Sequence, residues 1–219
     1  MIFYGPPGTG KTMGAQVLAN ELDLELYKVD MAGVMSKYVG ESEKKLGTIF
    51  EQAGKSRSIL FFDEADVLFG QRTDQKDSND KYANASTAYL LQKIEEYEGI
   101  MVLATNLLQN FDNAFLRRFQ FIIEFPAADA ERRQEIWQNV FPEAAPREEL
   151  DFVFLAQEYL FSGSQIKNAA VAAAFLAAGE RKPVGMRHVL TAVKREMAKT
   201  GKTLIAADFG PYYDLMQEG

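Results

Sequence analysis

Residues 1–12 read MIFYGPPGTGKT, and residues 58–66 read SILFFDEAD. The first stretch decides the fold. MIFY is a short apolar run that stops at Gly5-Pro6-Pro7, the signature of a buried strand ending in a turn. Gly5 to Thr12 then fits the pattern G-x-x-x-x-G-K-[ST]. The chemistry behind it is specific. Glycines let the backbone fold into a nest of N–H donors around phosphate, and the following helix presents its positive end. Lys11 is placed to reach the outer phosphates, and Thr12 to offer a hydroxyl to Mg²⁺. By average residue frequencies the bare pattern arises by chance in roughly one chain of this length in a hundred. The apolar run before it and the helical spacing of Ala15, Leu18, Ala19 and Leu22 after it favour the phosphate loop over an accidental Gly-rich turn.

The second stretch supplies the partner. SILFFDEAD is a continuous apolar run ending in acids, as expected of a strand buried on both faces. In a parallel sheet, ligands gather at the carboxyl ends of the strands. Asp63 is therefore positioned to hold the water shell of Mg²⁺, and Glu64 to accept a proton from an attacking water. An acidic strand end is the plain alternative. Asp66 reads as structural or as a surface charge. Asn106, ending the strand IMVLATN (100–106), is able to orient a water or merely to cap the strand. Arg117 and Arg118 in AFLRRF (114–119) are a solvated helix end, or a pair that reaches nucleotide, including that of a neighbouring subunit.

Strand and helix signals alternate along the first part of the chain. LELYKVD (24–30) is a second strand. Leu46, Ile49, Phe50 and Ala53 share a helical face with Ser42 as its expected N-cap, and Leu90, Leu91, Ile94 and Tyr97 share another that stops at Gly99. FIIEF (121–125) is the last strand, and residues 70–86 read as a polar loop. Alternation of this kind predicts an α/β fold, a parallel sheet flanked by helices. Beyond Pro126 to Asp129 only helical signals remain, in residues 129–141, 147–159, 163–180 and 185–200. The expected organisation is a nucleotide-binding α/β domain over 1–127, a small all-α domain over 128–200, and a tail over 201–219 with no clear pattern.

Composition narrows the function classes. The chain has 219 residues, a net charge of −7, 47% apolar residues and no cysteine. That excludes disulfides and thiolate metal sites and fits the cytosol. The acidic balance argues against a nucleic-acid binder, which usually shows a basic face. The longest strongly apolar stretch, NAAVAAAFLAA (168–178), is too short to span a bilayer, and the N-terminus has no secretory signal.

YGPPGTGKT, FFDEAD, LATN and AFLRRF, in this order and spacing, resemble the AAA+ ATPases, and most of all the branch that remodels proteins. The resemblance runs from residue 2 to about 198. It implies a P-loop domain followed by a helical lid, with ATP and Mg²⁺ bound between the subunits of a homohexameric ring. It implies nucleotide contacts from Pro7, Gly8, Thr9, Gly10, Lys11, Thr12 and Met13. Asp63 and Glu64 become the Walker B pair, Asn106 becomes sensor 1, and Arg117 and Arg118 become arginine fingers acting in trans. Lys37 and Tyr38, before GES (40–42), match a loop that faces the ring's pore and grips an unidentified protein substrate. In the lid, Ile136 falls beside the adenine, and Gly163 and Ser164 contact nucleotide through their backbone. No arginine stands in SGSQIKNAA (162–170), where many members carry sensor 2. Whether Gln165 or Lys167 replaces it stays open. Val140 stands where some relatives have a histidine, and His188 reads as an ordinary lid residue.

The implied function is ATP hydrolysis driving remodelling of proteins through a pore. An assembly or regulatory switch without threading is the alternative, and a nucleic-acid loader is a third. Only MIFY precedes the phosphate loop, whereas the family normally carries a further segment there that packs on the sheet and covers the adenine. The expectation is an N-terminally shortened ATPase core, monomeric or weakly assembling by itself.

Overall fold

The computed structural model describes residues 1–34, 41–68, 88–111 and 113–217. Lys37, Tyr38 and the polar stretch 70–86 lie outside the described residues. The chain forms two compact units, Met1–Pro126 and Ala127–Gly219.

The first unit is built on five strands: β1 (Ile2–Tyr4), β2 (Glu25–Asp30), β3 (Ser58–Asp63), β4 (Met101–Thr105) and β5 (Ile122–Glu124). All pair in parallel, in the order β2-β3-β4-β1-β5. Helices α1 (Lys11–Glu21), α2 (Met31–Val34), α3 (Glu41–Lys55), α4 (residues 88–96) and α5 (Asn113–Leu116) connect them. The α/β reading is therefore correct. The period of two decides which side chains go where. Leu60, Phe62, Leu103 and Ile2 face one core with Leu46, Phe50, Leu90 and Phe115. Ile59, Phe61, Val102, Ala104 and Phe3 face the other, against Ala15 and Ala19 of α1. Both faces are covered, which is why β3 and β4 read as unbroken apolar runs.

Two local readings change. Ser42 is not the N-cap of α3. It lies inside the first turn, 2% exposed, because α3 already begins at Glu41. Leu22 does not extend the packed face of α1. It is the C-cap and 43% exposed, since the chain turns through Asp23 at φ 52° into β2.

The second unit holds α6 (Ala130–Val140), α7 (Phe152–Glu158), α8 (Gly163–Glu180) and α9 (Met186–Ala198). Side chains close most of their N-termini. Asp129 accepts from Arg132 N, Asp151 accepts from Phe154 N, and Ser162 and Gln165 form a capping box. At α9 the cap residue is a glycine, and His188 replaces a capping carboxylate: its Nδ1 accepts from Gly185 N at 3.0 Å. Arg133 is buried and ties α6 inward, its Nε donating to Ala156 O at 2.8 Å. The helix expected over 147–159 shrinks to α7, because Arg147 bridges Val184 in extended form and Asp151 then starts the helix.

The unpatterned tail packs onto this unit as two short 3₁₀ turns, Ala206–Tyr212 and Asp214–Met216. Phe209 is 5% exposed in the helical core. The Tyr159 hydroxyl donates to Asp208 O at 2.8 Å, and the Tyr212 hydroxyl to Asp151 Oδ2 at 2.9 Å. Burial and the neighbouring acidic charges push the Tyr159 hydroxyl well above its usual range, so it stays a donor. Replacing Phe209 with alanine should cost about 3 kcal/mol of stability, the usual range for an emptied aromatic site. A urea melt monitored by far-UV circular dichroism measures it, and a loss under about 1 kcal/mol would mean the tail only rests on the surface.

Candidate functional site

β1 lies between β4 and β5, so the loop that leaves it emerges at the carboxyl edge of the sheet, beside the ends of β3 and β4. Gly5 opens the loop at φ 144°, and a Cβ there would sit 2.1 Å from Phe125 O, so only glycine fits. Gly10 closes it at φ 97° as the N-cap of α1, with no side chain capping that end. The first-turn amides of α1 therefore face the loop without an intrahelical acceptor, the arrangement that favours an anion.

Lys11 is the first residue of α1 and only 8% exposed. Its Nζ donates to Gly5 O at 2.8 Å, Pro6 O at 2.9 Å and Asn106 Oδ1 at 2.8 Å. Burial pushes the ammonium below its usual range, and the nearby carboxylates of Asp63 and Asp66 pull it back up. All three acceptors are uncharged, so a phosphate oxygen is a better partner than any of them.

At the end of β3, Asp63 Oδ2 accepts from Thr12 Oγ1 at 3.3 Å and pairs with Lys28 Nζ at 2.8 Å. Asp63 Oδ1 accepts from Glu64 N at 3.1 Å. Glu64 sits at φ 53°, a conformation uncommon outside glycine, with its side chain in solvent. Asp66 is structural. Its Oδ1 accepts from Thr105 Oγ1 at 3.1 Å and Asn106 N at 3.4 Å, and Thr105 Oγ1 in turn accepts from Leu107 N at 3.0 Å. A chain of polar contacts thus runs from Asp66 through Asn106 to Lys11 and fixes the end of β4 over the loop.

The structure brings Lys11, Thr12, Asp63, Glu64 and Asn106 to one edge of the sheet. Pro7, Gly8 and Thr9 form the loop crest, with Thr9 Oγ1 donating to Pro6 O at 2.9 Å. Met13, in the first turn of α1, has an exposed side chain. Arg118 forms an ion pair with Glu95 of α4 in the same chain. Arg117 is exposed, and its guanidinium makes no ion pair among the described residues. In the second unit, Ile136 packs on the helical core, and Gly163 and Ser164 are the first two residues of α8. The Gln165 carboxamide is taken up by Ser162 N, while Lys167 is exposed. Lys28 carried no sequence signal beyond its place two residues before Asp30, where the pleat turns both side chains to the same face.

Thr12 Oγ1 and Asp63 Oδ2 are hard oxygen donors that converge. They suit Mg²⁺, which takes one or two protein oxygens and completes its shell with phosphate and water. Among the described residues no group of three or more acidic or histidine side chains gathers as a dedicated metal cage.

A parallel sheet with this loop after β1 and an acidic pair ending β3 defines a P-loop nucleoside triphosphatase. Within that class, the sequence model of the ATPase family associated with various cellular activities (AAA) matches residues 1–127, and the chain belongs to that family. Among its relatives is a proteasome-activating nucleotidase of Sulfurisphaera tokodaii, 33% identical over 211 residues, which cover 92% of this chain and 54% of the relative. The proteasome-activating nucleotidase of Saccharolobus solfataricus is 32% identical over the same coverage. The proteasome-activating nucleotidase 2 of Halobacterium salinarum is 32% identical over 81% of this chain and 45% of its own length. The chain spans about half the length of the curated relatives it matches.

Proposed function

We propose that this chain binds ATP with Mg²⁺ at the loop between β1 and α1, hydrolyses it, and uses the cycle to remodel protein substrates as part of a homohexameric ring. The observation that carries the reading is the convergence of Lys11, Thr12, Asp63 and Asn106 at the carboxyl edge of the sheet. The proteasome-activating nucleotidases among its relatives favour protein over nucleic acid as the substrate class. No helix among the described residues is long and apolar enough to cross a membrane. The likeness to the proteasome-activating nucleotidases leads us to place the protein in the cytoplasm.

In this reading Gly8 to Met13 wrap the phosphates with backbone N–H groups, and Pro7, which has no N–H to give, shapes the loop before them. Lys11 exchanges the carbonyls of Gly5 and Pro6 for phosphate oxygens. Thr12 and Asp63 would hold Mg²⁺, and the chemistry it would supply there is neutralisation of charge on the phosphate oxygens. Glu64 takes the proton of the attacking water, and Asn106 orients that water with the amide NH₂ that its bond to Lys11 leaves available. Arg117 and Arg118 serve the nucleotide of the adjacent subunit, Arg118 after release from Glu95. Ile136 contacts the adenine, and Gly163 and Ser164 the nucleotide. Lys37 and Tyr38 grip the polypeptide in the pore.

The test of threading is Tyr38→Ala. Basal ATP hydrolysis should stay within about twofold of wild type, while unfolding of a tagged, stably folded substrate falls at least about tenfold, a loss of one aromatic grip. Unimpaired unfolding by this variant would turn the reading towards a switch that docks partners without pulling them.

A further inference from the structure

Asp63 carries two partners on one oxygen. Oδ2 faces the Thr12 hydroxyl at 3.3 Å and the Lys28 ammonium at 2.8 Å. Lys28 comes from β2, the edge strand beside β3, and its side chain is about half exposed, against 27% for Asp63. The register pairs Lys28 with Phe61 and Asp30 with Asp63, so the lysine reaches along the strand to a carboxylate two positions further on. A flexible, strongly hydrated ammonium therefore stands against the same oxygen that, with Thr12, suits a divalent ion. A cation in that position is a competitor, since one carboxylate oxygen cannot give full contact to both.

We propose that Lys28 is a resident counter-cation of Asp63, a positioning residue that holds the carboxylate in its site-facing orientation and must yield Oδ2 when a divalent ion binds. It acts through Asp63 and touches no reacting atom. This inference rests on the metal–nucleotide reading of the site. Its consequence is that metal affinity is set by a contest: the lysine keeps Asp63 ordered without metal and weakens the metal's hold on it. An arginine or lysine preserves the contest, and a neutral side chain of similar length removes it.

The experiment uses Mn²⁺ as the probe. Free Mn²⁺ is measured by electron paramagnetic resonance during titration of the full chain in saturating ADP. Lys28→Met should bind Mn²⁺ roughly two- to fivefold more tightly, the range a half-exposed ion pair supports. Lys28→Arg should stay at the wild-type value. Lys55→Met removes the same charge from the far end of α3, next to the start of β3 rather than its end, and should change nothing. Melting temperatures recorded on the same samples show that each variant is folded, and Lys28→Gln serves if the methionine variant is not. Unchanged or weaker Mn²⁺ binding in the neutral variants overturns the proposal, as does equal tightening by Lys55→Met, which would mark a general charge effect. Wild-type chain that binds ADP without Mn²⁺ overturns it too, because there is then no metal for Lys28 to yield to. Failure to bind either ADP or Mn²⁺ sinks the underlying site reading with it.

Discussion

Glu64→Gln should bind ATP as tightly as the wild type while hydrolysing it about 10²- to 10⁴-fold more slowly, the usual worth of a positioned general base. The carboxamide keeps the shape of the side chain, so nothing that contacts the loop changes. Only the capacity to accept a proton is lost. The backbone supports this assignment. Glu64 is held at φ 53° with its N–H bonded to Asp63 Oδ1, and such a conformation costs on the order of 1–3 kcal/mol for a residue with a Cβ. The residue that carries this conformation directly follows a buried strand, and its side chain is exposed to solvent. Phosphate release and the affinity for a fluorescent ATP analogue are the two readouts. Hydrolysis within threefold of wild type would show that another group takes the proton.

Arg117→Ala should lower the turnover rate by about 10³- to 10⁵-fold with little effect on nucleotide affinity, as removal of a transition-state arginine does. Its guanidinium is exposed and makes no ion pair among the described residues, so truncation costs the fold nothing of substance. Arg118 differs, because its pair with Glu95 ties the turn after α5 to α4 within one chain. Mixing decides between action in cis and in trans. Arg117→Ala subunits retain Glu64, and Glu64→Gln subunits retain Arg117. Neither turns over alone, but a mixed ring contains interfaces with both groups intact. Recovered hydrolysis on mixing is expected. A mixture as inert as its components would place the arginine's action within its own subunit.

The sheet was legible because burial on both faces leaves Ile59 to Phe62 of β3 and Met101 to Ala104 of β4 without a polar position and because alternation then sorts Leu60 from Phe61 without ambiguity. The loop was legible because phosphate geometry demands glycine at fixed spacings, and Gly5, pressed against Phe125 O, shows how little freedom it leaves. Caps were less legible. Ser42 looks like an N-cap but is buried one residue inside α3, whereas His188 looks like filler and closes α9. Both depend on a one-residue shift in helix start that no period reveals. The tail escaped because its order comes from Phe209, Tyr212 and the distant Tyr159 and Asp151, contacts that local pattern does not encode. Lys28 escaped for a related reason. It acts through a residue on a neighbouring strand, and strand order is a property of the folded sheet.

We propose that the group of residues around Lys11 hydrolyses ATP in a site completed by a second subunit. The most direct measurement is the ATPase rate per subunit across protein concentration, with mass determined by light scattering in the same samples. The account predicts a rate that rises with concentration in step with assembly. A constant rate per subunit from a strict monomer would contradict it.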